Sequence, residues 1–255
     1  MSGEFSGKSV LVTGGASGIG KATVCQFFEQ GANVLVTDIN EEDGRALVGY
    51  LDEPLRAQFF KLDVASEKNW EDAIAFHKAT FGRLDILVNS AGISIDKPLE
   101  EMPLKDWQFQ NSINLDGTFL GVRNAIREMK HEGGAIVNIA SILADVGFFG
   151  ATGYCAGKAG VKNFTKAAAL YCAQYGYKIR INAVMPGYID TPMVQNALEK
   201  QGNPNYLAEK LRKLHPVGHF GEPDDIAAGV LFCASEKAKF MTGTSIPIDG
   251  GYLAQ

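Results

Sequence analysis

The stretch Val10-Leu11-Val12-Thr13-Gly14-Gly15-Ala16-Ser17-Gly18-Ile19-Gly20 decides the fold. Its apolar start reads as a buried strand, and residues 21–30 that follow have helical character. Glycines between a strand and a helix let the backbone approach a phosphate closely. The helix start then offers unpaired N–H groups and the positive end of the dipole. The spacing Gly-x-x-x-Gly-x-Gly differs from the Gly-x-Gly-x-x-Gly fingerprint of dinucleotide folds, so alone it also suits a plain turn. A second strand, 33–37, leads to Asp38, which lies 18 residues beyond Gly20. A dinucleotide fold places a carboxylate there, on the adenosine ribose hydroxyls. Asp38 would repel the extra phosphate of NADP, and Ser17 occupies a loop position where Arg or Lys would bind one. The pair points to NAD, although Asp38 also suits a helix N-cap before Asn40-Glu41-Glu42.

Outward from this unit the alternation continues. Strand-like runs at 57–62, 84–88, 135–140, 179–184 and 244–248 alternate with helical stretches. Most strands end in a polar or glycine turn: Asp63-Val64, Asn89-Ser90-Ala91-Gly92, Met185-Pro186-Gly187 and Asp249-Gly250-Gly251. This pattern predicts an α/β fold, a parallel sheet covered on both faces by helices, in a single domain over 1–255. A long helix is expected over 105–131 and another over 152–176. Between 188 and 215 the periodicity breaks. Thr191-Pro192 and Asn203-Pro204 each read as an N-cap followed by a proline at the first helical position, opening two short apolar helices. Such an insertion after a strand's carboxyl end is where a substrate lid belongs; a packing or subunit contact is the plainer alternative.

Tyr154 and Lys158 sit four apart in helical sequence, so their side chains share a helix face. A phenol titrates near pH 10, too high for work at neutrality. A lysine cation about 4 Å away favours the phenolate by roughly 4 kcal/mol at an effective dielectric near 20, or about three pKa units. That shift would bring Tyr154 into range for proton transfer. Ser141, at the end of the strand run 135–140, could hold a substrate oxygen beside it.

Composition bounds the remaining options. The 255 residues are 46% hydrophobic and 21% charged, with a net charge of −5, which gives no basic footprint for nucleic acid or membrane. Cys25, Cys155, Cys172 and Cys233 are scattered, which suits reduced thiols in a cytoplasmic setting. No run of 18 apolar residues and no apolar leader occurs, so a soluble intracellular protein is expected. His215 and His219 have metal-like spacing, but Pro216 and Gly218 break any regular helix between them. No metal is expected.

Thr13-Gly14-x-x-x-Gly18-x-Gly20, Asp63-Val64, Asn89-x-Ala91-Gly92, Asn114, Ser141, Tyr154-x-x-x-Lys158, Pro186-Gly187 and Asp249-Gly250-Gly251 occur in an order and spacing that resembles the short-chain dehydrogenase/reductase family, over nearly the whole chain. The resemblance implies a Rossmann-type doubly wound sheet of seven strands and hydride transfer to or from a nicotinamide cofactor. It implies that Tyr154 exchanges the alcohol proton, Lys158 lowers the tyrosine pKa and binds the nicotinamide ribose, Ser141 binds the substrate oxygen and Asn114 holds a relay water. Gly14, Ser17, Gly18, Ile19, Gly20, Asp38, Asp63, Val64, Asn89, Ala91 and Gly92 would line the adenosine and diphosphate half. Pro186, Gly187, Ile189 and Thr191 would meet the nicotinamide end. The two long helices would form the contacts of a homotetramer. Three positions depart from the pattern: Ser90 replaces a common Asn, Gly157 a common Ser, and His219 a common Arg. Gly157 costs about 1 kcal/mol of helix stability relative to alanine.

Ile93, Ile95, Ile142, Leu143, Val146, Phe148, Phe149, Tyr188 and Met193 are expected to form an apolar wall with no fixed cation. Together with a resemblance of residues 167–193 to bacterial hydroxysteroid and cyclic-alcohol dehydrogenases, they point to a hydrophobic secondary alcohol or its ketone. The alternatives are an NADPH-dependent 3-oxoacyl thioester (acyl-carrier-protein) reductase and, from another class, a non-catalytic dinucleotide-binding sensor.

Overall fold

The computed structural model describes residues 3–200 and 203–255; two residues of the expected lid, 201 and 202, lie outside the described residues. Seven strands form one wholly parallel sheet: β1 (Ser9–Thr13), β2 (Asn33–Asp38), β3 (Ala57–Lys61), β4 (Ile86–Asn89), β5 (Gly134–Ile139), β6 (Ile179–Pro186) and β7 (Ser245–Ile248). Their spatial order is β3-β2-β1-β4-β5-β6-β7. β1 therefore has β2 on one side and β4 on the other, with Thr13 in register with both Thr37 and Asn89. That reversal of strand order opens a crevice at the carboxyl edge, where ligands of such sheets bind.

The strand sequences set the layers. Side chains alternate in direction along a strand, so the apolar run of β1 serves both faces. Val10 and Val12 join Val34, Val36, Val88 and Val137 under α1 (Gly18–Glu29), α2 (Glu41–Leu51) and α9 (Pro223–Ala234). Leu11, Leu35, Leu87 and Ile136 join Trp70 of α3 (Glu67–Phe81), Leu120 and Met129 of α5 (Gly117–Met129), and Ala168 and Cys172 of α6 (Thr152–Gln174). Both faces are dry. Burying one such leucine contributes roughly 1.5–3 kcal/mol.

The long helix expected over 105–131 is present over 104–129, with one irregularity inside it. α4 (Leu104–Asn111) passes into a π-turn, Ser112–Asp116, and then into α5. The extra residue per turn falls around Asn114, whose amide accepts the Ile93 N–H and donates to the Ile93 carbonyl, both at 2.8 Å. A π-turn inside a helix re-aims one side chain without ending the helix. Nothing in the hydrophobic pattern signals it, because the apolar stripe resumes in α5. The expected starts of α7 (Pro192–Glu199) and α8 (Pro204–Lys213) are present: Thr191 accepts the Val194 N–H and Asn203 the Tyr206 N–H, each followed by proline.

Candidate active site

The crevice is a cleft of about 530 Å³ along the carboxyl edge, lined by the glycine turn, the ends of β2, β4, β5 and β6, and the start of α7. Its floor is held by Thr13, whose hydroxyl accepts the Ser90 and Ala91 N–H groups at 3.0 and 3.1 Å. Gly14 has φ +63°, and a Cβ there would lie 2.8 Å from the Ala91 backbone. A Cβ on Gly20 would lie 2.0 Å from the Gly14 carbonyl oxygen. The glycines are what allow β1, β4 and the head of α1 to converge.

At the head of α1, the N-cap Ser17 makes no side-chain capping bond, and the first turn carries no acid. Its N–H groups are left for an anion, which suits a diphosphate. Asp38 closes the far end, its carboxylate accepting the Ala16 N–H at 3.1 Å and the Asn40 N–H at 2.9 Å. Ile39 and Asn40 follow it along the wall and bring no cation. Asp63 and Val64 complete this end. These residues fit the adenosine and diphosphate part of a nicotinamide dinucleotide.

At the other end, Ser141, Tyr154 and Lys158 line the same cleft as Pro186, Gly187, Ile189 and Thr191. Lys158 is buried; its ammonium donates to the Ile139 carbonyl at 2.8 Å and lies 5.5 Å from the centre of the Tyr154 ring. Gly92 brings Asn114 to the same spot, since a Cβ there would lie 3.2 Å from Asn114 Oδ1 and 3.5 Å from Lys158 Nζ. Asn114 itself is buried behind this wall. Gly157 has a steric role: a Cβ would come within 2.9 Å of Asn111 Oδ1, so its absence lets α6 press against the π-turn.

The titration of the pair runs against the sequence-based expectation. Burial pushes Tyr154 up to about 12, offset in part by the Ser141 hydroxyl, which favours the phenolate. Burial also pushes Lys158 down to about 8. Burial explains the difference. The expectation assumed charges about 4 Å apart with water nearby, whereas here the low dielectric penalises both charged forms. The Ser141 oxygen also accepts the Leu143 N–H at 3.1 Å, which fixes where its proton can point.

The expected substrate wall needs correcting. Ile93 and Met193 line the cleft. Ile142 is 1% exposed and, with Leu143, sits in an apolar cluster behind the wall rather than facing the cleft. Phe148 and Tyr188 pack against that cluster. Phe149 points to solvent, 87% exposed, because the loop before α6 turns it outward. On the cofactor side, Asn89 does not reach the cleft; it is buried and donates to Asn138 Oδ1 at 2.8 Å, tying β4 to β5. Phe109 and Ile113, which the sequence reading did not single out, form the wall beside Met193 and Val194. Their four-residue spacing just before Asn114 was the available signal.

Among the described residues, no group of three or more His, Cys, Asp or Glu could hold a metal ion, and no helix is long and apolar enough to cross a membrane. The family model described as enoyl-(acyl carrier protein) reductase matches residues 14–253. A 2,5-dichloro-2,5-cyclohexadiene-1,4-diol dehydrogenase of Sphingobium indicum is 39% identical, covering 99% of this chain and 98% of that protein. The 3-beta-hydroxysteroid dehydrogenase of Comamonas testosteroni is 38% identical over 99% and 98%. The NADP-dependent (R)-specific alcohol dehydrogenase of Lentilactobacillus kefiri is 37% identical over the whole of both chains. Glycine turn, parallel sheet, carboxyl-edge cleft and relatives agree: this chain is an oxidoreductase and belongs to the short-chain dehydrogenase/reductase family, whose members use a nicotinamide cofactor.

Proposed function

We propose that the chain is an NAD(H)-dependent dehydrogenase that interconverts a hydrophobic secondary alcohol, of cyclic or hydroxysteroid type, and its ketone. One observation carries the reading. A half-buried tyrosine and a buried lysine and serine share a cleft whose near wall is apolar and whose far end closes on a carboxylate. Asp38 supports NAD over NADP, because a second phosphate beside it would meet a negative charge and no cation from Ile39 or Asn40. The relative from L. kefiri carries NADP in its name, so the choice rests on Asp38 rather than on kinship. The cyclic-diol and hydroxysteroid names of the other two relatives support the substrate class.

When bound, the nicotinamide ring accepts or supplies the hydride. The chain's part is to orient and to move a proton. Ser141 holds the substrate oxygen. Tyr154 takes the alcohol proton during oxidation and returns it during reduction. Lys158, an ammonium below about pH 8, stabilises the phenolate as it forms. Gly14, Ser17, Gly18, Ile19, Gly20, Asp38, Asp63, Val64, Ala91 and Gly92 hold the adenosine and diphosphate half. Pro186, Gly187, Ile189 and Thr191 hold the nicotinamide end. Residues 188–215 act as the lid of a single domain. Phe119, Leu170 and Tyr171, exposed on α5 and α6, support contacts between subunits of a homotetramer. The four free thiols support a reducing, cytoplasmic setting.

A second reading, NADPH-dependent reduction of a 3-oxoacyl thioester, draws on the description of the family model. Asp38 and the net charge of −5 weigh against it, since an acidic carrier needs a basic surface. Steady-state assays with NADH and NADPH on cyclic ketones, 3-ketosteroids and a 3-oxoacyl thioester separate the two. Faster thioester reduction with NADPH would replace the first reading with the second.

A further inference from the structure

Lys158, Tyr154 and Ser141 leave one buried titratable side chain near the cleft unexplained. His215 is 3% exposed, sits between α8 and α9, and both its ring nitrogens are engaged. The Tyr188 N–H donates to Nε2 at 3.1 Å, and Nδ1 lies 3.0 Å from the Leu211 carbonyl oxygen. A carbonyl can only accept and an N–H can only donate, so Nδ1 carries the proton and Nε2 is bare. The ring packs edge-on against Tyr188, Phe220 and Tyr252, with centroids 5.8, 6.2 and 5.5 Å away. Gly187 and Gly250 leave room for it; a Cβ on Gly187 would lie 2.8 Å from Nε2.

One side chain thus joins the segment beyond β6, the end of lid helix α8, and the turn after β7. Tyr188 also packs against the buried cluster of Ile142, Leu143 and Ala151, the same cluster that Tyr154 packs against. Gly187, by contrast, is held independently, its N–H donating to the Ile248 carbonyl at 3.0 Å in continuation of the β6–β7 pairing. The apolar layer behind the substrate end of the cleft is therefore tied to His215, while Gly187 of the cofactor end has its own hydrogen bond.

We propose that His215 is a positioning residue that fixes Tyr188 in the apolar layer behind the substrate end of the cleft and ties it to the lid, so that it governs alcohol binding without governing cofactor binding. This inference rests on the reading of the cleft given under Proposed function. Three variants separate its two hydrogen bonds. Phenylalanine keeps the ring packing and loses both bonds. Asparagine reaches only as far as Nδ1, so it keeps the tie to Leu211 and loses the tie to Tyr188. Glutamine reaches Nε2 and can accept from Tyr188.

The experiment measures KM, kcat, NADH affinity and Tyr188 amide exchange in His215→Phe, His215→Asn and His215→Gln. Phe and Asn are expected to raise KM for the alcohol about tenfold, with kcat and NADH affinity within threefold. The Tyr188 amide is expected to exchange at least tenfold faster in both, and Gln to restore both readouts to within threefold of the parent. Should His215→Phe fail to fold, the Asn–Gln pair answers the same question. Unchanged exchange at Tyr188, or an equal loss of NADH affinity, would overturn the inference. So would a KM rise in Gln but not in Asn, which would put the weight on the lid bond. Absence of alcohol turnover by the unaltered protein would defeat the functional reading instead, and the exchange measurement, which needs no substrate, would still decide whether His215 holds Tyr188.

Discussion

The two ends of the cleft are built differently. At the Asp38 end, the ligand-facing groups are backbone N–H groups, glycines and side chains placed at strand termini. Once the strands are in register, Thr13, Thr37 and Asn89 come level and the turn after β1 has one place to go. At the Tyr154 end, the wall is made of side chains from α4, the π-turn, α6 and α7, and the paths of these segments rather than strand register decide which side chains face inward. Ile142 and Phe149 belong to one short segment, yet one is buried behind the wall and the other stands in solvent. Backbone-built ends are fixed by geometry; side-chain-built ends are set residue by residue.

The sharpest way to break this contrast is at Lys158, where the two ends meet. Lys158→Met is expected to cut turnover about 10³-fold, the middle of the range for losing acid–base assistance. Folding stability should hold or rise, because the buried ammonium is already disfavoured, its pKa pushed down to about 8. A paired measurement of kcat and melting temperature checks this; lost stability with retained turnover would make Lys158 a structural residue. Asp38→Ala should change the ratio of NADH to NADPH kcat/KM by about 10²-fold toward NADPH. That figure assumes about 3 kcal/mol of charge repulsion relieved and ribose bonding lost. An unchanged ratio would place cofactor choice elsewhere.

Ile142→Ala and Phe149→Ser sharpen the other side. The first should cost about 2–5 kcal/mol of stability in chemical denaturation, as for a buried isoleucine, with KM within threefold. The second should leave both within twofold. A tenfold KM change in Phe149→Ser would return that residue to the substrate wall.

The scaffold common to both ends has its own signature. His77 is buried in α3 with Nε2 unpartnered, and burial pushes its pKa down to about 4 from 6.5. The unfolded chain binds that proton first, so the stability His77 allows is present above pH 6.5 and lost as pH falls toward 4. The loss amounts to roughly 3 kcal/mol. Denaturation of His77→Phe from pH 7 to pH 4 should show a shallower decline with unchanged turnover at pH 7; a parallel decline would assign the acid sensitivity to other groups.

How much was legible follows from the same contrast. The glycine turn, Asp38, the alternation of strands with helices and the two proline-started short helices are local signals, each carried by a few adjacent residues, and the parallel α/β fold they imply is the one observed. The π-turn at Asn114 was not legible, since one extra residue in a long helix leaves the apolar stripe nearly intact. Nor was the titration of Tyr154. Spacing puts Lys158 on its face of the helix, but only the surrounding burial decides that the phenol sits near 12 rather than below 10. The fate of Asn89, drawn into a chain of amides through Asn138 to Thr165, likewise needs three elements in place.

The central claim is that Tyr154 moves the substrate proton and does nothing else of consequence. Replacing it with phenylalanine removes one oxygen from a ring packed against the cluster of Ile142, Leu143 and Ala151. Single-turnover oxidation of the best alcohol, run beside NADH binding by fluorescence titration, is the direct test. The expected result is a rate at least 10³-fold below the parent with NADH affinity within threefold. A rate within tenfold of the parent, with NADH still bound, would contradict it.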